Sequence, residues 1–209
     1  MPQGKSVSHI KAIAIATSLA LSAITPLPAF SDQFGLKMGE AISSIISKGI
    51  NLKPTGTSNL YKATSILPGN KMFDNYRFFI VKGVGLCQIT GWIPVIEDSG
   101  YGEQTQARFS QLYEMLTSKY GLSKKFDFLR SGSIWNGSSE WVMSLMQKDR
   151  YLIAIWSEQQ GSKLPPDIKG IMLNTVGAGP QSALISIQYE FRNIDKCVAV
   201  DKKEAAANL

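Results

Sequence analysis

The sequence predicts an α+β domain in which one or two antiparallel sheets carry helices packed on one face. Three observations lead there. Over residues 182–191, Ala183, Ile185, Ile187, Tyr189 and Phe191 alternate with Ser182, Ser186, Gln188 and Glu190, the period of a strand with one packed and one wet face. Between Glu103 and Tyr120, by contrast, Phe109, Leu112, Tyr113, Leu116 and Tyr120 recur at helical spacing. Strand-like and helix-like stretches are grouped rather than strictly alternating, which favours α+β over α/β.

The first 31 residues read as a secretory signal peptide. Lys5 and Lys11 supply a positive start, Ala12 to Ile24 is nearly all apolar, and Pro26 and Pro28 precede Ala29-Phe30-Ser31, whose small residues suit cleavage before Asp32. The apolar run is too short to span a bilayer, so no stable membrane insertion is expected after cleavage. The domain is then expected over residues 32–197, with a frayed or weakly helical tail from 198 to 209.

Ile42, Ile45 and Ile46 predict a short helix that Gly49 ends. Loops with Pro54, Gly56, Pro68 and Gly69 surround one short strand near Leu60 to Ile66. Tyr76 to Val84 and Leu86 to Ile96 predict a hairpin, with Gly91 as a candidate bulge. After the long helix, Lys124 to Ser133 is expected to be a loop, and Ser138 or Ser139 to cap a short helix bearing Trp141, Val142, Leu145 and Met146. Tyr151 to Trp156 reads as a buried strand, followed by strands at Ile168 to Val176 and Ser182 to Phe191. This order leaves room for two halves, each a helix followed by a meander.

Composition excludes more chemistry than it supplies. The only histidine, His9, leaves with the signal peptide, so the exported chain builds no Ser-His-Asp or Cys-His arrangement and no imidazole zinc site. No phosphate loop, dinucleotide fingerprint or nucleophile elbow is present, and no cofactor is expected. Loss of two lysines and no acid takes the charge from +6 to 20 − 16 = +4, with the basic residues scattered, so no nucleic-acid partner is expected. The two cysteines, Cys87 and Cys197, survive cleavage. One disulfide is expected in an oxidising compartment, and two thiols in strands that never meet is the alternative.

The remaining candidates are acids and aromatics. Glu97, Asp98, Glu103, Asp127 and Glu140 keep a carboxylate-dependent hydrolase open, although acids beside Gly and Ser in turns are ordinarily solvated or capping. Tyr101, between Gly100 and Gly102 on an exposed and flexible connection, and Trp135, beside the Gly137-Ser138-Ser139 turn, are the candidate binding residues. Trp141, on the apolar helix face, is assigned to the core.

The opening Phe34-Gly35-Leu36-Lys37-Met38-Gly39-Glu40, leading into a short helix and a meander, resembles the start of small periplasmic modules of the outer-membrane-assembly lipoprotein and β-lactamase-inhibitor-protein type. Gly85-Leu86-Cys87, the Tyr120-Gly121 helix end and Tyr189-Glu190-Phe191 near Cys197 are similar to uncharacterised exported proteobacterial proteins. The first resemblance implies helices on one face of an antiparallel sheet and action by binding proteins. The chain lacks the acylated cysteine of the lipoproteins and a second copy as in the inhibitors, so no functional residue carries over. The expectation is therefore a periplasmic or secreted, non-enzymatic module that binds a protein of the cell envelope or beyond it, with a hydrolase of wall or saccharide material as the alternative.

Overall fold

The protein is described by a computed structural model over residues 34–64 and 72–207, together with Met1. The expected signal peptide and the Pro68-Gly69 loop lie outside the described residues. In chain order the elements are α1 (Ile42–Ser47), β1 (Lys53–Pro54), β2 (Leu60–Ala63), β3 (Asn75–Val81), β4 (Gly85–Trp92), β5 (Ile96–Glu97), α2 (Glu103–Tyr120), β6 (Lys124–Leu129), α3 (Trp141–Met146), β7 (Arg150–Ser157), β8 (Ile168–Gly179), β9 (Ser182–Phe191) and α4 (Ile194–Ala207).

All nine strands form one antiparallel sheet in the order β1-β2-β3-β4-β9-β8-β7-β6, with β5 pairing β9 beyond the end of β4. The α+β expectation holds. Two four-strand meanders, β1–β4 and β6–β9, each preceded by a helix, join edge to edge where Gln88 to Trp92 pair with Glu190 to Ser186. The sheet is therefore continuous across the halves.

One face is sealed. The alternate residues Tyr76, Phe78, Ile89, Ile187, Tyr189, Leu173, Ala154 and Trp156 are buried beneath Ile45 of α1, Phe109, Leu112 and Leu116 of α2, and Trp141, Val142 and Leu145 of α3. Full burial of one such large apolar side chain contributes about 2–3 kcal/mol, and this cluster supplies the main driving force for the fold. Trp141 sits in this core as expected, 8 % exposed.

Four expectations need correction. First, the domain does not stop at Cys197: the chain beyond it is helical rather than frayed, as part of α4, where Ile194, Cys197 and Val200 form a stripe and Asp201 and Glu204 accept hydrogen bonds from Asn59 Nδ2 at 2.8 and 2.9 Å. Second, the helices do not all lie on one face. Phe79 and Val81 point away from the main core, and with Cys87, Ile194 and Cys197 they form a separate apolar cluster, so α4 covers the far end of β3 and β4 on the opposite face. Third, Lys124–Leu129 is an edge strand rather than a loop, paired with β7 along its whole length. Fourth, Gly91 is no bulge. The register shift falls between Phe79 and Ile80, opposite Cys87, and Gly91 gives room to the Phe73 ring, which a Cβ would meet at 2.8 Å.

The Cys87–Cys197 disulfide is present, joining residues 110 positions apart in sequence with Cα atoms 6.5 Å apart. It staples α4 to β4. No helix among the described residues is long and apolar enough to cross a membrane.

Candidate functional site

The face opposite the main core is covered by α4 only at its β3–β4 end, and what it presents follows from strand parity. Register carries Lys62 of β2 across to Arg77 of β3 and Thr90 of β4, and Asn75 of β3 across to Trp92 of β4 and Ser186 of β9. Farther over, Met172 of β8 stands beside Ile155 of β7, and Ile153 beside Phe126 of β6. Leu184, Val176 and Tyr151 share this open face, and Phe128 stacks on Tyr151 with ring centroids 5.0 Å apart. A solvated sheet face ordinarily alternates to polar residues. Here β9 does so, with Ser186, Gln188 and Glu190, whereas β6 and β7 set Phe126, Phe128, Tyr151, Ile153 and Ile155 there instead. Phe128 is 49 % exposed and the others are half-buried.

Charge on the open face is lopsided. Lys53, Lys62 and Arg77 line its first half and Lys124 its opposite edge, against Glu190 and Glu97. Glu97 lies level with Ser182 of β9, and Ser182 and Glu190 are each four residues, roughly 14 Å at the rise of a strand, from Ser186, which faces Trp92; Asp74 is nearer, its Oδ1 accepting from Asn75 Nδ2 at 3.1 Å. None of the ion pairs among the described residues involves Lys53, Lys62, Arg77 or Lys124. The Arg77 guanidinium lies 5.7 Å from the centre of the Trp92 ring, within cation–π range. A cavity of about 260 Å³ opens beside them, lined by Lys62, Asn75, Arg77, Trp92 and Leu184.

The residues singled out from sequence fall elsewhere. Tyr101 is 51 % exposed on the β5–α2 connection, and Trp135 is half-buried on the β6–α3 connection, where its backbone N–H donates to Ser133 Oγ. These connections meet, because the Val142 N–H donates to the Gly100 carbonyl at 3.1 Å. The flanking glycines do not supply mobility. A Cβ on Gly100 would meet the Ser139 carbonyl oxygen at 2.1 Å, and one on Gly102, where φ is +71°, would meet the Trp141 ring at 2.0 Å. Both permit close approach, so Tyr101 is exposed on a fixed turn.

The candidate acids are largely engaged in structure. Asp98 accepts hydrogen bonds from the backbone N–H groups of Ser99, Gln104 and Thr105 and from the Thr105 hydroxyl, the last two at 2.7 Å. Burial pushes its carboxyl up, but these bonds outweigh it and hold the group below the ordinary aspartate range. Glu140, not Ser138 or Ser139, secures the start of the α3 segment by accepting from the Gly137 N–H at 2.9 Å. Asp127 pairs with Arg150 at 3.4 Å, while Glu97 and Glu103 are exposed. Among the described residues, no group of three or more His, Cys, Asp or Glu side chains is arranged to hold a metal ion.

The open face belongs to no single segment, so no local pattern in the sequence marks it. Comparison with protein-family models, with curated proteins and with solved structures gave no match.

Proposed function

We propose that this chain is an exported, non-enzymatic binding module that docks a protein partner on the open face of its sheet. The observation that carries the reading is the apolar surface of β6 and β7 on a face that no described helix covers, bordered by cations without carboxylate partners. Apolar side chains left beside a charged rim on a stable sheet are the anatomy of a recognition surface. The partner that fits presents an apolar patch edged with acidic groups, since the exported chain carries +4 and the cations of this face outnumber its acids.

Export rests on the sequence of residues 1–31, and a disulfide is what an oxidising compartment would permit. A carboxylate hydrolase has less support, because Asp98, Asp127 and Glu140 are already occupied with backbone and arginine partners.

The test is affinity capture from envelope fractions with wild type, Ile153→Asp and Tyr101→Ala, followed by direct titration of the captured protein. Ile153→Asp should abolish capture while the protein still unfolds in one cooperative transition within several degrees of wild type, and Tyr101→Ala should retain capture. Retention of the same partner by Ile153→Asp would overturn the assignment of the face. Sedimentation of the wild type with vesicles containing phosphatidylglycerol, in the absence of any protein captured dependent on Ile153, would replace the protein partner with a lipid surface.

A further inference from the structure

We infer that the cavity at the seam of the two meanders is a carboxylate-binding pocket. The inference rests on the docking face proposed above and names the chemistry at its centre. Register sets the pocket's parts in two adjacent rows, Lys62 with Arg77 and Asn75 with Trp92, and Leu184 closes it from β9. A second cavity of about 280 Å³ adjoins it, sharing Lys62 and Asn75 and adding Lys53 and Asn51. Three cations thus border the two neighbouring cavities, and none of them has a carboxylate partner within 4.0 Å among the described residues.

Each wall contributes something an acid side chain needs. The Arg77 guanidinium is steadied over the Trp92 ring, a contact that consumes none of its hydrogen-bond donors, and its planar fork matches a carboxylate in two-point contact. Lys62 adds a point charge, and Asn75, whose Nδ2 gives one of its two hydrogens to Asp74 Oδ1 at 3.1 Å, keeps a second N–H. Trp92 and Leu184 supply an apolar surface for the short stem that bears the carboxylate. The Trp92 Nε1–H is shielded from solvent and has no acceptor among the described residues, so the ring is a donor without a partner at the same wall.

Size and charge narrow the ligand. At about 260 Å³ the cavity lies below the range of pockets that enclose a drug-sized molecule, and suits one side chain or a small acid. One carboxylate stands beside the pocket, Asp74, whose Oδ1 accepts from Asn75 Nδ2 at 3.1 Å, and the three cations Lys53, Lys62 and Arg77 outnumber it there. A glutamate or aspartate of the docked partner, followed by an apolar residue, satisfies both halves of the pocket; a free small carboxylic acid offers the same chemistry from another source.

The chain has four tryptophans, and Trp92→Phe identifies which indole N–H signal of the nitrogen-15-labelled full-length exported protein belongs to Trp92. That signal is followed during titration with N-acetyl-glutamyl-leucine amide, its glutamine counterpart, glutarate and inorganic phosphate. The glutamyl peptide should move it saturably, the glutamine peptide should bind about tenfold more weakly or worse, and Arg77→Met should lose a similar factor while the other three indole signals stay in place. Glutarate acting as strongly as the peptide would keep the carboxylate pocket and assign it to a free acid. Equal response to the glutamyl and glutamine peptides, a stronger response to phosphate, or no response to any carboxylate would overturn the inference. Should the pocket fail while Ile153→Asp still abolishes partner capture, the docking face stands without it; the reverse result leaves a small-acid site on a face that docks nothing.

Discussion

The two meanders share a strand order and differ in what they leave uncovered. In β1–β4 the apolar residues Phe79 and Val81 on the second face are roofed by α4, and the remainder is mostly polar, with Lys53, Lys62, Asn75, Arg77 and Thr90 around the single ring of Trp92. In β6–β9 no described element lies over that face, yet Phe126, Tyr151, Ile153, Ile155 and Met172 stand on it. The exposed apolar surface is therefore no consequence of the topology itself. One half hides its second apolar face beneath its own chain, and the other keeps it available.

The largest effect should come from removing the roof. Cys87→Ala with Cys197→Ala opens a loop of 110 positions, and the entropy of closing a loop of that size corresponds to about 4–5 kcal/mol of stability. Chemical denaturation should show a loss of that order, and hydrogen exchange should report earlier opening of α4 than of α2. The first half would then expose Phe79 and Val81 and come to resemble the second. A loss below about 1 kcal/mol would mean that Ile194, Val200 and the Asn59 bonds hold α4 without the staple.

Neighbouring positions on β7 give a sharper contrast. Leu152 is 3 % exposed beneath the helices, and Leu152→Ala should cost roughly 2–5 kcal/mol in denaturation experiments. Ile153→Ala, one residue on and facing the other way, should cost roughly 1 kcal/mol or less. Equal costs would show that the second half is covered after all, and the comparison between halves would fail.

What could be read from the sequence follows the same division. The strand β9 and the helix α2 were legible because each has one apolar and one polar side, so a single period names both the element and its packed face. β6 was not, because its pattern is inverted. Lys125 and Asp127 face the packed side, where Lys125 reaches the Phe109 and Tyr113 rings and Asp127 meets Arg150, while Phe126 and Phe128 face out. β7 is apolar on both sides, which reads as full burial when only one cover exists. The pairing of Arg77 with Trp92 depends on the register of β3 against β4, and the packed stripe of α4, Ile194, Cys197 and Val200, is too short among its lysines, acids and alanines to mark a covering helix. Asp98 is one of the acids that cap, and the number of its donors, four, is set by the fold of the turn and not by any local pattern.

Asp98 sits where the first half hands over to the second, ahead of α2. Asp98→Asn keeps one acceptor and turns an amide toward donors, so it should cost about 1 kcal/mol at neutral pH. Because the folded carboxyl titrates below its unfolded value, its contribution is complete well above about pH 4 and is lost as pH falls through the lower, folded value. The difference between wild type and variant, measured by denaturation along a pH series, should therefore be flat near neutrality and shrink in acid. A difference that grows in acid would mean that the carboxyl is held above its ordinary range.

The smallest expected effect is at Tyr101, and it decides between two surfaces. Its ring is exposed, but the turn that bears it is fixed by Gly100 against Ser139 and Gly102 against Trp141, so Tyr101→Ala removes surface area and leaves the backbone in place. Stability should change by about 0.5 kcal/mol or less, the usual range for an exposed side chain. Truncating an isolated exposed side chain should also leave partner affinity within a few-fold, whereas Ile153→Asp puts a charge at the middle of a shared apolar surface, where desolvating it on docking is costly. Parallel titrations of one captured partner against both variants measure the two effects on one scale. If Tyr101→Ala weakens binding tenfold and Ile153→Asp does not, recognition belongs to the turn beside α3, and the exposed apolar surface of the second meander needs a different cause.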